Sequence, residues 1–169
     1  MTWKLGFWAS GLPDRYMAIY LPNDTTSFTP GTSGKNIYLD NAQTSGEGSV
    51  ESDEHSMFNT STGIFTLPAG RWQVFGQSFF DNVNDQNAVI SSIVNSDSGN
   101  DIRVGSAVRG ETAGQRISVL ACTFDLTSTT NCYIRCKIVG GNSPASDSTT
   151  VRGDANMNET AFQLYRIAI

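Results

Sequence analysis

The sequence predicts an all-β fold, an antiparallel β-sandwich or jelly roll of about eight to ten strands. Apolar and polar residues alternate with a period of two, and no segment keeps the 3.6-residue helical period over three turns. The composition agrees, because 10% aromatic residues, 16% charged residues and 16 glycines are typical of strands joined by many short polar turns. A chain of 169 residues suits one domain, and neither a repeat nor an interior linker divides it.

The predicted elements follow one another with polar turns between them. The sharpest boundary is Pro68-Ala69-Gly70, because proline removes a hydrogen-bond donor and glycine permits a turn that other residues resist. We expect a corner there between an apolar strand and an aromatic one. Longer polar loops are expected at 23–35, 44–56 and 140–158. The predicted strands are 17–21, 36–41, 57–67, 71–80, 88–94, 102–108, 115–126, 132–139 and 160–169.

The first 36 residues are expected to form an N-terminal arm or an elaborated first strand, ahead of a sandwich domain at 37–169. The segment is interrupted by prolines, yet it is rich in apolar and aromatic side chains. Such side chains are costly to leave in water, so they pack either on their own domain or on a neighbouring subunit. The aromatic residues considered for docking are Trp3, Phe7, Trp8 and Tyr16.

Strands 115–126 and 132–139 are predicted to pair as a hairpin. Matching their apolar faces places Phe124 opposite Ile134 and Cys122 opposite Cys136, so the cysteines belong to the core stripe. Cys132 and Cys136 stand four positions apart on one strand, too far to bridge each other. Only Cys122 and Cys136 are candidates for a disulfide, and the pattern favours buried free thiols.

The residues that catalysis and cofactor binding need are scarce. The one histidine, His55, lies in an acidic segment, and no nucleophile elbow or phosphate-binding loop is present. The oxygen-rich turns at 81–85 and 97–101 do not fit a calcium-loop spacing. The net charge of −5, without a basic cluster, argues against nucleic acid, and no apolar run is long enough for a membrane helix. We therefore expect no enzyme activity and no cofactor or metal.

An Arg152-Gly153-Asp154 tripeptide lies in the loop before the last strand. Its functional interpretation is integrin binding. The alternative is coincidence, because Gly-Asp is ordinary turn chemistry and three residues carry little information. The sequence favours coincidence.

Three segments resemble the compact jelly rolls of tumour necrosis factor and the globular heads of complement. They are the corner Leu67-Pro68-Ala69-Gly70-Arg71-Trp72, the strand Ile117-Ser118-Val119 and the closing strand Phe162-Gln163-Leu164-Tyr165. The corner is similar to the family's F-x-x-P-x-x-G-x-Y pattern, with Trp72 where the family usually has tyrosine or another aromatic residue. The resemblance runs from about residue 36 to the C terminus.

The resemblance implies a homotrimer whose aromatic and aliphatic side chains meet along a threefold axis. The candidate axis residues are Phe75, Phe79, Tyr165 and Ile167. The alternative is that these four fill the protomer's own core, because strands buried on both faces look the same in sequence.

The chain also departs from the animal proteins of this family. We expect no leader at the start, and the first 36 residues match nothing in that family. Standalone polar jelly-roll trimers look like bacteriophage virion proteins, which implies a non-enzymatic capsid decoration (cement) protein, assembled in the host cytoplasm and located on the virion surface. Its partners would be itself and the major capsid protein or another virion protein. The alternative is a tail-fibre or head-fibre tip that binds a host surface glycan or receptor.

Overall fold

In a computed structural model, strands whose side chains alternate inward and outward form two antiparallel sheets. The structure describes residues 15–21, 24, 49–53, 56–59, 62–83, 87–110, 112, 114–139, 149–153 and 159–168. Each sheet has six strands, and the described residues contain no helix, which confirms the predicted all-β sandwich. The strands are β1 (Arg15–Tyr20), β2 (Ser49–Asp53), β3 (Phe58–Asn59), β4 (Ile64–Leu67), β5 (Gly70–Val83), β6 (Ala88–Asn95), β7 (Asp101–Val104), β8 (Val108–Arg109), β9 (Gly114–Leu126), β10 (Thr130–Val139), β11 (Thr150–Arg152) and β12 (Ala161–Ala168).

The order of the strands defines the edges of each sheet. In the first sheet, β9 pairs along the whole of β5, while β12 and then β11 share the opposite side of β5. β1 follows β12, and β2 follows β1. In the second sheet the order is β3-β4-β10-β6, and β7 and β8 share the far side of β6. Within the part of the chain that the structure describes, β9 and β2 are thus the lateral strands of the first sheet.

The corner predicted at Pro68-Ala69-Gly70 is confirmed, and it carries the chain from one sheet to the other. β4 ends at Leu67 in the second sheet, and β5 starts at Gly70 in the first. Gly70 has φ = 141°, which a residue with a side chain rarely adopts. Trp72 is fully buried, and its Nε1 donates a hydrogen bond to the Pro68 carbonyl at 2.9 Å. A side chain of the core therefore holds the corner in place.

The predicted hairpin between strands 115–126 and 132–139 is wrong. β9 pairs with β5 in the first sheet, whereas β10 pairs with β6 and β4 in the second. The short connection between them therefore crosses the sandwich. Cys122 lies opposite Val74, and Cys136 lies opposite Ser91, so the two cysteines are not cross-strand neighbours. The inward orientation of both cysteines was predicted correctly. The alternation of apolar and polar residues fixes which face of a strand is buried, but it does not fix the partner strand.

Other element boundaries also differ from the predictions. The single strand expected at 57–67 is two paired strands, β3 and β4, separated by a turn in which Gly63 has φ = 64°. The strand expected at 102–108 breaks at Gly105 into β7 and β8. β2 and β11 lie within segments predicted to be loops. The strand predicted at 36–41 lies outside the described residues.

Inward-facing side chains from both sheets form one core. The largest fully buried ones include Trp72, Phe65, Phe80, Phe124 and Phe162. The three cysteines are free thiols, as the pattern favoured. Cys132 and Cys136 are buried, which raises the pKa of each thiol to about 12, and Cys122 is partly buried.

Residues 15–20 of the predicted arm form β1, which lies between β12 and β2. Met17 and Ile19 are buried in the core. This part of the segment therefore acts as a first strand of the sandwich, which is one of the two interpretations. The boundary predicted at 36/37 and the side chains of Trp3, Phe7 and Trp8 lie outside the described residues. Tyr16 pairs with Tyr165 in the backbone register, but its side chain also lies outside them.

Candidate binding surface

The outward face of the first sheet carries four exposed apolar side chains on β5, β9 and β12. Alternation turns Phe75 outward on β5, Ile117 and Val119 outward on β9, and Ile167 outward on β12. Their exposed fractions are 59%, 41%, 40% and 47%. Among the described residues the remaining exposed large hydrophobic side chain is Val104 on β7. We call these four outward side chains on the first sheet the apolar face.

Polar side chains surround Phe75 on this face. In register, Phe75 stands between Gln163 on β12 and Ala121 on β9. Gln73 precedes it on the same side of β5. The Tyr165 hydroxyl donates to Gln163 Oε1 at 2.6 Å, which fixes both side chains beside the ring. The centre of the face is therefore an exposed ring bordered by amides.

An ion pair with two hydrogen bonds lies at one end of the apolar face. Arg71 Nε and Nη2 donate to the two carboxylate oxygens of Asp125 at 2.8 and 3.1 Å. The hydrogen bonds from Arg71 lower the pKa of the Asp125 carboxyl, and the carboxylate raises the pKa of the guanidinium. Because both side chains are more than half exposed, water and salt weaken the pair.

The other end of the face is covered by an arginine. The Arg152 guanidinium lies 5.6 Å from the centre of the Phe79 ring and makes an ion pair with Glu159 at 3.1 Å. Phe79 is consequently only partly exposed. The next residue, Gly153, donates its N–H to Asp24 at 3.0 Å. The arginine of the Arg-Gly-Asp tripeptide is therefore engaged within the chain, while Asp154 lies outside the described residues.

All four predicted axis residues lie on this one face. Phe75 and Ile167 are exposed, and Phe79 and Tyr165 are partly buried, so none of them belongs to the buried core. Ile117 and Val119 were not predicted from the sequence to be surface residues. The sequence pattern nevertheless indicates their outward orientation, since they alternate with the inward Ser118 and Leu120 along β9.

The face of the second sheet holds a charged cluster that is satisfied internally. Asp101 accepts hydrogen bonds from Lys137 and Ser92 at 2.7 Å, and Arg135 lies 3.7 Å away. Burial alone would raise the pKa of Asp101, but these hydrogen bonds and the charges of Lys137 and Arg135 leave it below its ordinary value. The turn before it is closed by Asn95, which accepts two backbone N–H groups.

No cluster of three or more His, Cys, Asp or Glu side chains suited to a metal occurs within the described part of the chain. His55 lies outside it. The described residues form no helix long and apolar enough to cross a membrane.

Comparisons with known proteins identify the fold. No family model matches the sequence, and no curated protein sequence matches it either. Solved structures do match over nearly the whole chain. The structure of Eiger TNF from S. frugiperda aligns with a TM-score of 0.59 at 9% identity, covering 92% of this chain and 94% of that one.

Two further structures agree. Murine APRIL aligns with a TM-score of 0.56 at 9% identity, covering 90% of this chain and 98% of that chain. The globular domain of zebrafish complement 1qA aligns with a TM-score of 0.53 at 9% identity, covering 91% and 98%. The chain therefore has the jelly-roll fold of the tumour necrosis factor and complement-head proteins.

Proposed function

We propose that this chain is a non-enzymatic structural protein that assembles into a homotrimer through the apolar face. The observation that carries the proposal is the exposure of Phe75 and Ile167 together with Ile117 and Val119 on one side of one sheet. Large apolar side chains left exposed on one face of a sheet indicate an interaction surface. The family resemblance, which implies trimers, supports a second and third copy of the same chain as the partners.

We further propose that the trimer decorates a bacteriophage capsid at the virion surface. Its role would be mechanical: apolar contacts, each stabilising by about 25 cal/mol per Å² buried, would be repeated by symmetry on neighbouring shell subunits. The aromatic residues Trp3, Phe7, Trp8 and Tyr16 remain the candidates for contact with the shell protein.

One observation favours a second candidate, a fibre tip that binds a host glycan. Phe75 is a flat exposed ring bordered by Gln73 and Gln163, and such a ring with hydrogen-bonding amides suits a sugar. The same surface cannot serve both purposes in one state. A trimer that buries Phe75 would therefore exclude sugar binding at this ring.

The assembly state provides the first test. We expect the purified chain to have three times the mass of one chain in light scattering. Phe75→Ser combined with Ile167→Ser should shift it to monomers, because truncating central apolar contacts costs about 2 kcal/mol or more per interface. Gln73→Ser, on the same strand and face, is the matched control and should stay trimeric. A parent protein that is monomeric and binds a glycan array would support the fibre-tip role instead.

Capsid binding provides the second test. Deletion of residues 1–30 would remove β1 and with it the buried Met17 and Ile19, so it is unsuitable for testing the arm alone. Deletion of residues 1–12 avoids this. We expect that variant to remain trimeric and to lose binding to capsids that lack the native product, as scored by negative-stain images. If the variant binds capsids as well as the parent protein does, residues 1–12 do not dock on the shell.

A further inference from the structure

The connection between β7 and β8 lies along the edge of β9 that does not pair with β5. The Ser106 N–H donates to the Val119 carbonyl at 2.8 Å, and the Val119 N–H donates to Ser106 Oγ at 3.0 Å. Gly105 permits this approach, because a Cβ there would clash with the Val119 carbonyl. Strands of the two sheets therefore share one lateral surface, which we call the β7–β9 side.

Three arginines lie in a row along this side. Arg103 Nε donates to the Thr123 carbonyl at 3.2 Å, and the Arg116 guanidinium lies against Gly110, the residue that follows Arg109. The segment from β7 to β8 therefore runs antiparallel to β9. At about 3.3 Å per residue, Arg103 and Arg109 are no more than about 20 Å apart. The sequence shows no basic run here, because six and seven positions separate the three arginines.

No carboxylate neutralises these arginines in the described part of the chain. Arg103 Nη1 donates to the Ile102 carbonyl at 2.8 Å, and Arg116 Nη1 donates to the Gln115 carbonyl at 2.7 Å. None of the four ion pairs among the described residues uses Arg103, Arg109 or Arg116. A carbonyl oxygen holds a guanidinium in position but carries no net charge, so the positive charges stay available.

The aspartates that flank the row already have basic partners. Asp101 on β7 pairs with Lys137 at 2.7 Å, and Asp125 on β9 pairs with Arg71 at 2.8 Å. Between these two aspartates the sequence contains the three arginines and a single acidic residue. The β7–β9 side is therefore locally basic, although the chain has a net charge of −5.

An apolar side chain accompanies the arginines. Val104, next to Arg103 on β7, is 53% exposed. No exposed aromatic side chain of the described residues lies on this side, whereas proteins that bind single-stranded nucleic acid stack its bases on such rings. Guanidinium groups around a valine suit a partner that carries both carboxylates and an apolar group. A peptide has both, and a uniformly polar polyanion has only the charge.

We propose that the β7–β9 side binds an acidic peptide segment of another protein. Carboxylates of the segment pair with the arginines, because a guanidinium matches a carboxylate in shape and charge. An apolar side chain of the segment packs on Val104. The opposite charges set the position and direction of the segment, and they speed its association. This inference goes beyond the proposed self-assembly and requires no particular oligomeric state.

A labelled Glu-rich peptide that contains one leucine tests the arginines by fluorescence anisotropy. We expect it to bind the full chain, although a net charge of −5 repels an acidic peptide in general. Arg103→Gln with Arg109→Gln should weaken binding about tenfold. Arg152→Gln removes a charge that Glu159 already pairs with, so this matched control should bind as the parent does. Binding should also weaken in 1 M NaCl, where the screening length falls to about 3 Å.

A second peptide, with serine in place of the leucine, tests the apolar contact. Val104→Ser should weaken binding of the leucine peptide and leave binding of the serine peptide unchanged. If Val104→Ser affects neither peptide, the apolar part of the proposal is wrong. Heparin and single-stranded DNA are the competing probes, and tighter arginine-dependent binding of either one would overturn the peptide as partner.

The inference is overturned if the parent does not bind the acidic peptide, or if the double arginine variant binds it equally well. If the double variant does not fold by circular dichroism, Arg109→Gln alone should weaken binding about threefold and carries the test. Light scattering on the same samples reports assembly separately. A monomer that binds the peptide contradicts the trimer alone, and a trimer that does not bind it contradicts this inference alone.

Discussion

Replacing Trp72 by alanine should lower the free energy of unfolding by about 3–5 kcal/mol. The indole is fully buried between the sheets and stands opposite Phe124 on β9. Its removal leaves a cavity and also leaves the Pro68 carbonyl without its donor. For a chain of this size the loss corresponds to a fall in melting temperature of about 10 °C, measured by calorimetry. Protein concentration must be held fixed, because assembly shifts apparent stability.

The matched variant separates packing from hydrogen bonding. Trp72→Phe keeps most of the ring volume but has no N–H, so we expect a smaller loss of about 1–3 kcal/mol. If the two variants lose the same amount, the bond to Pro68 dominates the contribution of this side chain. A Trp72→Ala protein that melts with the parent would contradict the anchoring role of the corner.

The corner was predictable because its chemistry is local. Pro68 ends the ladder of β4, and Gly70 adopts a backbone angle that other residues avoid, so three residues are enough to specify a turn. The inward faces of β9 and β10 were predictable for a similar reason. A period of two requires only that one side of each strand be buried.

The partner of each strand was not predictable in the same way. Leu120 and Phe124 on β9 and Ile134 on β10 line the same core from opposite sheets. A hairpin within one sheet and a crossing between two sheets bury the same alternating side chains. The short turn at 127–129 permits either, so only the tertiary pairing of β9 with β5 and of β10 with β6 decides between them.

The apolar face was partly predictable. Phe75 and Ile167 come from the family resemblance, whereas alternation alone left open whether they fill the core. The structure places them outside it.

Gly76→Ala should cost about 3 kcal/mol of unfolding free energy, which lies at the upper end for overpacking. Gly76 faces Phe162 of β12 in register. A Cβ at this position would clash with the Ala161 carbonyl oxygen and would stand 2.7 Å from Phe162 Cα, both backbone atoms that cannot turn aside. Relief requires β12 to move away from β5, which disturbs the strand that carries Tyr165 and Ile167. We therefore expect chemical denaturation to show lower stability and light scattering to show weaker assembly.

Gly99→Ala separates this clash from the general effect of losing a glycine. Gly99 has φ = 70° but no atom near its Cβ position, so only the backbone strain of about 1 kcal/mol should appear, without loss of assembly. If Gly76→Ala costs no more than Gly99→Ala, β12 is not packed against β5 as closely as the structure indicates. If Gly76→Ala lowers stability yet leaves the trimer unaffected, the outward side of β12 is not part of the subunit contact.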